Sequence, residues 1–86
     1  MNLMYSIHYF ASVREQLDCS EESIEATDAI ATVADLVKLL AARGGAWTML
    51  ANRQQVLIAV NQAVSDHEQA LTGNDEIAFF PPMTGG

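Results

Sequence analysis

The chain has 86 residues, half of them apolar, and its 11 acidic and 4 basic side chains give a formal net charge of −7. This length fits one small domain, and the apolar fraction is too high for a disordered tail. The acidic balance argues against nucleic acid and membrane surfaces as partners, because both are anionic and are bound through basic patches. It suits a basic partner surface, although such a charge is also ordinary for soluble domains.

Neither a membrane span nor a metal site is indicated by the sequence. No apolar run approaches the roughly 18 residues of a membrane span, and no signal peptide opens the chain, so we expect a cytoplasmic protein. Cys19 is the sole cysteine, which excludes an internal disulfide framework and a cysteine cluster. His8 and His67 lack the spacing of metal ligands. We therefore expect no metal and no cofactor bound by this chain.

The first part of the chain predicts two paired strands. Residues 3–11 alternate loosely between apolar and polar side chains and are rich in β-formers, which predicts a strand. Residues 12–22 are polar and predict a turn region. Residues 23–27 predict a short second strand that pairs with the first as a hairpin.

The clearest helix signal begins at Thr32. Thr32 is a good N-cap, and Asp35 completes a capping box with Asp in place of the usual Glu. Apolar residues at i, i+3, i+4 and i+7 predict one buried stripe, formed by Val33, Leu36, Val37 and Leu40. Gly44 and Gly45 predict a left-handed cap that ends the helix.

The second half of the chain predicts shorter elements, namely a helical turn at 46–51, strands at 56–60 and 63–65, and a last strand at 77–80. Asn61-Gln62, between the middle two strands, suits a turn or a bulge. Pro81 and Pro82 end the last strand, because neither has a backbone N–H to donate to a sheet.

The order of these elements, β-β-α-β-β with one further short strand, predicts an α+β fold of the β-grasp, or ubiquitin-like, type. One main helix would pack on one face of a mixed sheet of four to five strands. The first and last strands would lie side by side at the centre of that sheet. Residues 1–80 would form the domain, and residues 81–86 an extended tail that ends in Gly-Gly.

The last two residues, Gly85 and Gly86, present a carboxylate with no side chain near it. Such an end fits a channel too narrow for other residues, since glycine has no Cβ. A carboxylate is a poor electrophile until it is activated, and once adenylated it accepts sulfur or an amine. The alternative is an ordinary frayed terminus.

Several segments of the chain resemble one family. They are Phe10-Ala11-x-Val13-Arg14-Glu15, Val60-Asn61-Gln62, Leu71-Thr72, and the block from Asp75 to Gly86 with two Phe, two Pro and a terminal Gly-Gly. With these segments, the chain resembles the small, sulfur-carrying subunits of molybdopterin synthase over nearly its whole length. The final block is the specific part of the resemblance.

The resemblance implies a carrier without catalytic groups of its own. An adenylating, E1-like partner enzyme would use ATP and magnesium to attach AMP to the Gly86 carboxylate. A sulfur donor protein would then convert it to a thiocarboxylate. The charged carrier would bind the large subunit, in a heterotetramer, and deliver sulfur to a cyclic pterin monophosphate during molybdenum cofactor biosynthesis.

The resemblance also implies a docking surface and an inserted tail. If the first and last strands are neighbours, Phe10 and Phe80 could form one apolar patch that Val64 could join, and the family docks partners through such a patch. Burial of both Phe in the core is the alternative. The tail would enter the partner's active site with Pro81, Pro82, Met83, Thr84 and Gly85. The six residues after Phe80 reach at most about 20 Å when extended.

Three alternatives stay open at this point. A sulfur carrier of the thiamine pathway shares the Gly-Gly end and the activation chemistry, although the Phe-Phe-Pro-Pro block disfavours it. A protein-conjugating ubiquitin-like modifier differs in its final acceptor, which is a lysine. A non-catalytic β-grasp binding module would use no tail chemistry at all.

Overall fold

Eight elements make up residues 3–82, the part of the chain that the computed structural model describes. In chain order they are β1 (Met4–Tyr9), α1 (Ala11–Leu17), β2 (Glu21–Glu25), α2 (Val33–Ala41), a 3-10 helix (Gly45–Ala51), β3 (Leu57–Val60), β4 (Ala63–Ser65) and β5 (Glu76–Phe80).

The five strands form one mixed sheet in the order β2-β1-β5-β3-β4. The central pair, β1 and β5, is parallel, and the other three pairs are antiparallel. The prediction that the first and last strands lie together at the centre is therefore confirmed. The fold is the predicted α+β β-grasp, with five strands and α2 as the main helix. Since β1 and β5 run in the same direction, their C-terminal ends lie next to each other. The chain therefore leaves β5 beside the end of β1.

Helix α2 begins where the sequence predicts, because its N-terminal N–H groups find local acceptors. The Asp35 N–H donates to Thr32 Oγ1 at 3.3 Å, and the Thr32 N–H donates to Asp35 Oδ2 at 3.1 Å, which completes the capping box. The predicted apolar stripe is buried in full and packs in one core with the inward side chains of the sheet, among them Ile7, Ile77 and Phe79.

The prediction of a polar turn over residues 12–22 is wrong, because this stretch contains α1 and the start of β2. Val13 and Leu17 lie four residues apart, so both face the same side of a helix, and both are buried. Two apolar side chains among exposed polar ones give a weak periodic signal, and packing against the sheet decides the structure instead. β2 accordingly begins two residues earlier than predicted.

Gly44 and Gly45 both have positive φ, of 80° and 57°, although Gly44, with ψ of −176°, is not in the left-handed helical region. They do not cap α2, however, since that helix ends at Ala41 and its C-cap residue, Ala42, is right-handed. The two glycines instead turn the chain from α2 into the 3-10 helix, where the sequence predicts a second helical turn.

The predicted turn at Asn61-Gln62 joins β3 to β4 as a tight hairpin. Both residues have positive φ, 53° and 72°, which is the backbone of a type I′ turn. Val60 and Ala63 pair directly on either side of it. The short strand predicted at 63–65 is therefore confirmed as β4.

Candidate functional site

The face of the sheet opposite α2, named the open face here, is where the predicted docking residues meet. Side chains alternate along each strand, so burial of Ile7, Tyr9 and Phe79 against the core directs their neighbours in sequence to the other face. His8, Ala78 and Phe80 are accordingly partly exposed. Large apolar side chains on an uncovered sheet face are typical of a protein–protein interface.

Phe10 and Phe80 lie in one row across the open face. Tyr9 pairs with Phe79, and the Phe10 N–H continues this ladder by donating to the Phe79 carbonyl at 3.0 Å, which sets Phe10 beside Phe80. On the other side, Phe80 pairs directly with Leu57 of β3. Phe10 is 49% exposed. It is therefore not a core residue, which was the alternative for both Phe.

A second row lies next to the first and contains Val64. Ala78 pairs with Ala59, and Ala59 pairs with Val64, which is 74% exposed. The two rows together form the apolar patch, defined as Phe10, Leu57, Ala59, Val64, Ala78 and Phe80. The structure thus brings Phe10, Val64 and Phe80 to the same face. Their role in partner binding stays a prediction.

The tail begins at the edge of this patch. Pro81 and Pro82 follow Phe80 directly and are both partly buried. Because Phe80 lies beside Phe10, the two prolines leave the sheet next to the start of α1. The predicted tail residues Met83, Thr84, Gly85 and Gly86 lie outside the described residues.

The patch is bordered by a polar row on the side of β2. His8 lies between two carboxylates: its Nδ1 is 3.8 Å from Glu21 Oε2, and its Nε2 is 3.8 Å from Glu76 Oε2. The imidazole also stacks on the Phe10 ring, with centroids 6.3 Å apart and planes inclined by 19°. The open face therefore has an apolar part and an acidic part in contact with each other.

Aromatic packing directly beneath the patch holds it rigid. Tyr9 stacks on Phe79, with ring centroids 5.6 Å apart, and meets the Trp47 ring edge-on at 5.5 Å. Trp47 is partly buried against the core. Phe10 and Phe80 each follow one of the stacked residues in sequence, so their backbones are fixed by this packing.

An ion pair under the same region ties β2 to the segment after α2. The Arg43 guanidinium donates to both carboxylate oxygens of Glu22, at 2.8 and 3.0 Å, and lies 4.3 Å from the centroid of the Trp47 ring. Tyr9 donates its hydroxyl to Glu22 Oε2 at 2.7 Å. The bonds from Arg43 outweigh partial burial and lower the pKa of Glu22, whereas burial and the bond to Glu22 raise the pKa of Tyr9.

A buried carboxylate, Asp75, holds the beginning of β5. It accepts hydrogen bonds from the Thr72 N–H at 2.6 Å and from the Asn61 side-chain amide at 2.7 Å. Burial alone would raise the pKa of Asp75, but the hydrogen bonds outweigh it and the pKa is lowered. Asp75 therefore connects the turn of the β3–β4 hairpin to the strand that ends in the tail.

Sequence reasoning missed three members of the open face, Leu57, Ala59 and Glu21, and an ion pair beneath it. Leu57 and Ala59 lie in an unbroken apolar run, which gives no alternation from which to assign a face. Glu21 lies in the predicted polar turn, which gives no basis for pairing it with His8. The Glu22–Arg43 pair joins residues 21 positions apart, and no local pattern indicates it.

Residues 3–82 contain no helix that is both long and apolar enough to cross a membrane. In the same part of the chain, no group of three or more His, Cys, Asp or Glu side chains is placed to hold a metal ion.

Comparisons with known proteins find relatives that match nearly the whole chain. The sulfur carrier subunit of molybdopterin synthase from Haemophilus influenzae is 36% identical over 83 residues, which are 96% of this chain and all of that protein. The Escherichia coli subunit of the same name gives the same identity and coverage. A solved complex of subunits 1 and 2 of the molybdopterin-converting factor from Helicobacter pylori contains a similar chain, with a TM-score of 0.69, 21% identity and coverage of 98% of this chain and 100% of that one.

The model of a protein family, described as the ThiS family, matches residues 7–86. This match begins within β1 and takes in all of β5, the apolar patch and the Gly-Gly end. The chain belongs to the ThiS family.

Proposed function

We propose that the chain is the sulfur carrier subunit of molybdopterin synthase. The observation that carries this proposal is the likeness to two sulfur carrier subunits of that name over almost the whole chain. The structure supports it through the position of the tail, which starts from a rigid central strand at the border of an exposed apolar patch. A carrier needs both features, because a partner enzyme must recognise a surface of the carrier while the C-terminal end of the carrier reaches the active site of that partner.

The reactive group of this proposal is the Gly86 carboxylate. A partner enzyme uses ATP and magnesium to form an acyl-adenylate at this carboxylate, with release of pyrophosphate. A sulfur donor then displaces AMP and leaves a thiocarboxylate. The thiocarboxylate is a soft, anionic nucleophile that delivers its sulfur to a cyclic pyranopterin monophosphate. The chain is therefore a sulfur-donating subunit, and acid–base groups for the transfer belong to the large subunit.

The open face is the surface through which this carrier docks. Phe10 and Phe80 present large apolar area on a fixed backbone, as anchors at the centres of interfaces do. Pro81 and Pro82 stiffen the base of the tail, which lowers the entropy lost when the tail enters a channel. The Helicobacter pylori complex supports the pairing, because subunits 1 and 2 of the converting factor are bound to each other in it and one of its chains has this fold. The adenylating enzyme docks on the same face, since it must reach the same carboxylate.

Removal of Gly86 tests the chemistry. The truncated chain should fail to form a thiocarboxylate, because the carboxylate is shortened by one residue and now belongs to Gly85. Intact-mass analysis after incubation with the activating enzyme, ATP and a sulfur source measures the replacement of one oxygen by sulfur. The control is urea unfolding of both chains, which should give the same midpoint. Full sulfur loading of the truncated chain would refute the proposed role of Gly86.

Substitution of the Phe80 side chain by alanine tests the docking face. Phe80→Ala should weaken binding to the large subunit by about 1–3 kcal/mol, as loss of an aromatic anchor does. Isothermal titration calorimetry measures this change. Leu39→Ala is the matched control, because Leu39 is equally apolar and 47% exposed but lies on α2, away from the open face. An affinity that Phe80→Ala leaves unchanged would count against the patch.

The thiamine-pathway carrier is the second candidate, since the family model covers the chain and its Gly-Gly end without separating the two roles. Deletion of the gene distinguishes them. Loss of molybdoenzyme activity is the outcome expected here, whereas a thiamine requirement would favour the second candidate.

A further inference from the structure

A small pocket lies at the edge of the sheet where β3 begins and β4 ends, and the proposed sulfur chemistry does not use it. Its volume is about 180 Å³, and its polar lining consists of Arg53, Ser65, Asp66 and His67. Leu57 lines its apolar side and is also a member of the apolar patch. A partner that covers the patch therefore comes within reach of the pocket.

The imidazole of His67 is buried in this lining without a hydrogen-bond partner. His67 is 8% exposed, and within residues 3–82 neither ring nitrogen forms a hydrogen bond. Every fully buried side-chain nitrogen in this part of the chain is paired, so the unpaired ring nitrogens keep contact with solvent, and they do so at the pocket. The backbone of His67 is fixed, since its carbonyl accepts the Ala34 N–H of α2 at 2.8 Å. Buried polar side chains are normally hydrogen-bonded, so this ring has capacity for a ligand.

Arg53 supplies the positive charge of the pocket, and it takes part in none of the ion pairs within residues 3–82. Burial and the charge of Arg53 lower the pKa of His67, and each of these effects exceeds the opposite effect of Asp66. The charge of Arg53 therefore outweighs that of Asp66 at the imidazole. Since its pKa is lowered, the ring is neutral at pH 7 and contributes an N–H donor.

A carboxylate matches this arrangement of groups. A guanidinium binds both oxygens of a carboxylate, and the imidazole N–H adds a further hydrogen bond. A cation would be repelled by Arg53, and an apolar group would leave both donors without water or a partner, which is unfavourable. The opposing charge of Asp66 is exposed, and its Oδ1 already accepts the Glu68 N–H at 2.9 Å.

We propose that the pocket receives an aspartate or glutamate side chain of the large subunit, which pairs with Arg53 and accepts a hydrogen bond from His67. This inference rests on the proposed function. The chain has 11 acidic and 4 basic side chains, so its overall charge attracts a basic surface in many orientations. A positive site beside the apolar patch accepts an acidic group at one position and so fixes the orientation of docking. Orientation matters because the tail must enter the active site of the partner.

Calorimetric titration of the full-length chain with the large subunit of the same organism tests the ion pair. Arg53→Gln should weaken binding by about two- to fivefold, the range of one partly exposed ion pair. The variant makes the chain more negative, which by itself favours a basic partner, so the direction of the change is diagnostic. Lys38→Gln is the matched control, because it changes the charge equally on the exposed side of α2 and should not weaken binding.

An affinity of Arg53→Gln that is unchanged, or an equal loss in both variants, would overturn the proposal. A higher affinity of Arg53→Gln would overturn it as well, and is the result expected if the pocket binds the carboxylate of Gly86 instead.

Cross-linking identifies the occupant. Arg53→Lys keeps the positive charge and introduces an amine, which a water-soluble carbodiimide joins as an amide to a carboxylate in contact with it. Peptide mass analysis of the complex should find position 53 joined to an aspartate or glutamate of the large subunit. The unchanged chain, which has no amine at this position, is the control. Cross-links from position 53 to this chain alone, or none at all, would overturn the proposal.

Two variants test the hydrogen bond from His67. His67→Phe removes the N–H and should weaken binding by about two- to tenfold, the range of one hydrogen bond. His67→Gln keeps a donor and should bind more tightly than His67→Phe. Equal affinities of the two variants would overturn this bond, and where either fails to fold by urea unfolding, the Arg53 variants decide the proposal. Failure of the unchanged chain to bind the large subunit would overturn the proposed function instead.

Discussion

At the scale of single residues, the docking face depends on how the backbone turns after β1. Ala11 follows Phe10 directly and has φ of 51°, a left-handed conformation that is unfavourable for residues with a Cβ. This turn brings the Phe10 carbonyl within reach of the Val13 and Arg14 N–H groups, at 3.1 and 3.3 Å, and so starts α1. Phe10 meanwhile keeps its extended backbone and its exposed ring. Local strain at Ala11 thus helps to present an aromatic anchor.

Replacement of Ala11 by Gly should therefore raise the free energy of unfolding by about 0.5–1 kcal/mol. Glycine removes the cost of the left-handed backbone, and the larger entropy of its unfolded state offsets part of this gain. Urea unfolding measures the change. Ser12→Gly is the control, since Ser12 is exposed within α1 and the same change there should destabilise by about 0.5 kcal/mol. Equal losses in both variants would show that Ala11 carries no strain.

At the scale of elements, α1 shows what packing decides beyond local pattern. It has no side-chain N-cap bond and no acidic residue in its first turn, the features that identify α2 in the sequence. Its two buried residues, Val13 and Leu17, join the same core as α2 and the sheet. The stability of α1 therefore derives from this contact, because a helix of seven residues is marginal by itself.

Removal of the Leu17 side chain from the core should lower the stability of the fold, because so short a helix depends on this packing. Leu17→Ala should lower the free energy of unfolding by about 2–4 kcal/mol, since it removes a buried side chain and leaves a cavity. Gln16→Ala, on the exposed side of α1, should change it by less than about 0.5 kcal/mol. Thermal or urea unfolding of the two variants measures both values. A loss below about 1 kcal/mol for Leu17→Ala would mean that the segment behaves as the polar turn that the sequence suggests.

The sequence predicts those elements whose signals are local, and it fails where contacts are distant. The capping box and stripe of α2, the Asn61-Gln62 turn and the prolines after β5 each follow from a few adjacent residues. The register that sets Phe10 beside Phe80 joins residues 70 positions apart, so the shared patch was reached through resemblance and the central-strand pairing. Glu21 and Glu76 meet His8 from two other strands, and no short pattern brings these three together.

At the scale of the whole molecule, three carboxylates hold three separate junctions. Glu22 ties β2 to the segment after α2, Asp35 caps the start of α2, and Asp75 joins the β3–β4 turn to β5. Hydrogen bonds from Arg43 to Glu22, and from the Ala31 and Thr32 N–H groups to Asp35, lower the pKa of each carboxylate below its ordinary value. The pKa of Asp75 is also lowered, although burial opposes this. Protonation of these carboxylates at low pH therefore weakens the contact between β2 and the segment after α2, the start of α2 and the start of β5.

The sign of the resulting pH dependence follows from the direction of these shifts. A carboxylate with a lowered pKa in the folded state contributes stability above its unfolded pKa and loses it as the pH falls through the folded value. The ordinary pKa values are 4.5 for Glu22 and 3.8 for Asp35 and Asp75. The contribution of these three carboxylates to the free energy of unfolding should therefore be constant near neutral pH and should decrease below about pH 4.5. Urea midpoints between pH 7 and pH 2.5, followed by Trp47 fluorescence, measure the change. Glu22→Gln should lower the midpoint at pH 7 and lessen its further fall in acid, because the variant has no proton to gain at this position. A midpoint that stays constant or rises on acidification would show that these three junctions do not stabilise the fold through their charged carboxylates.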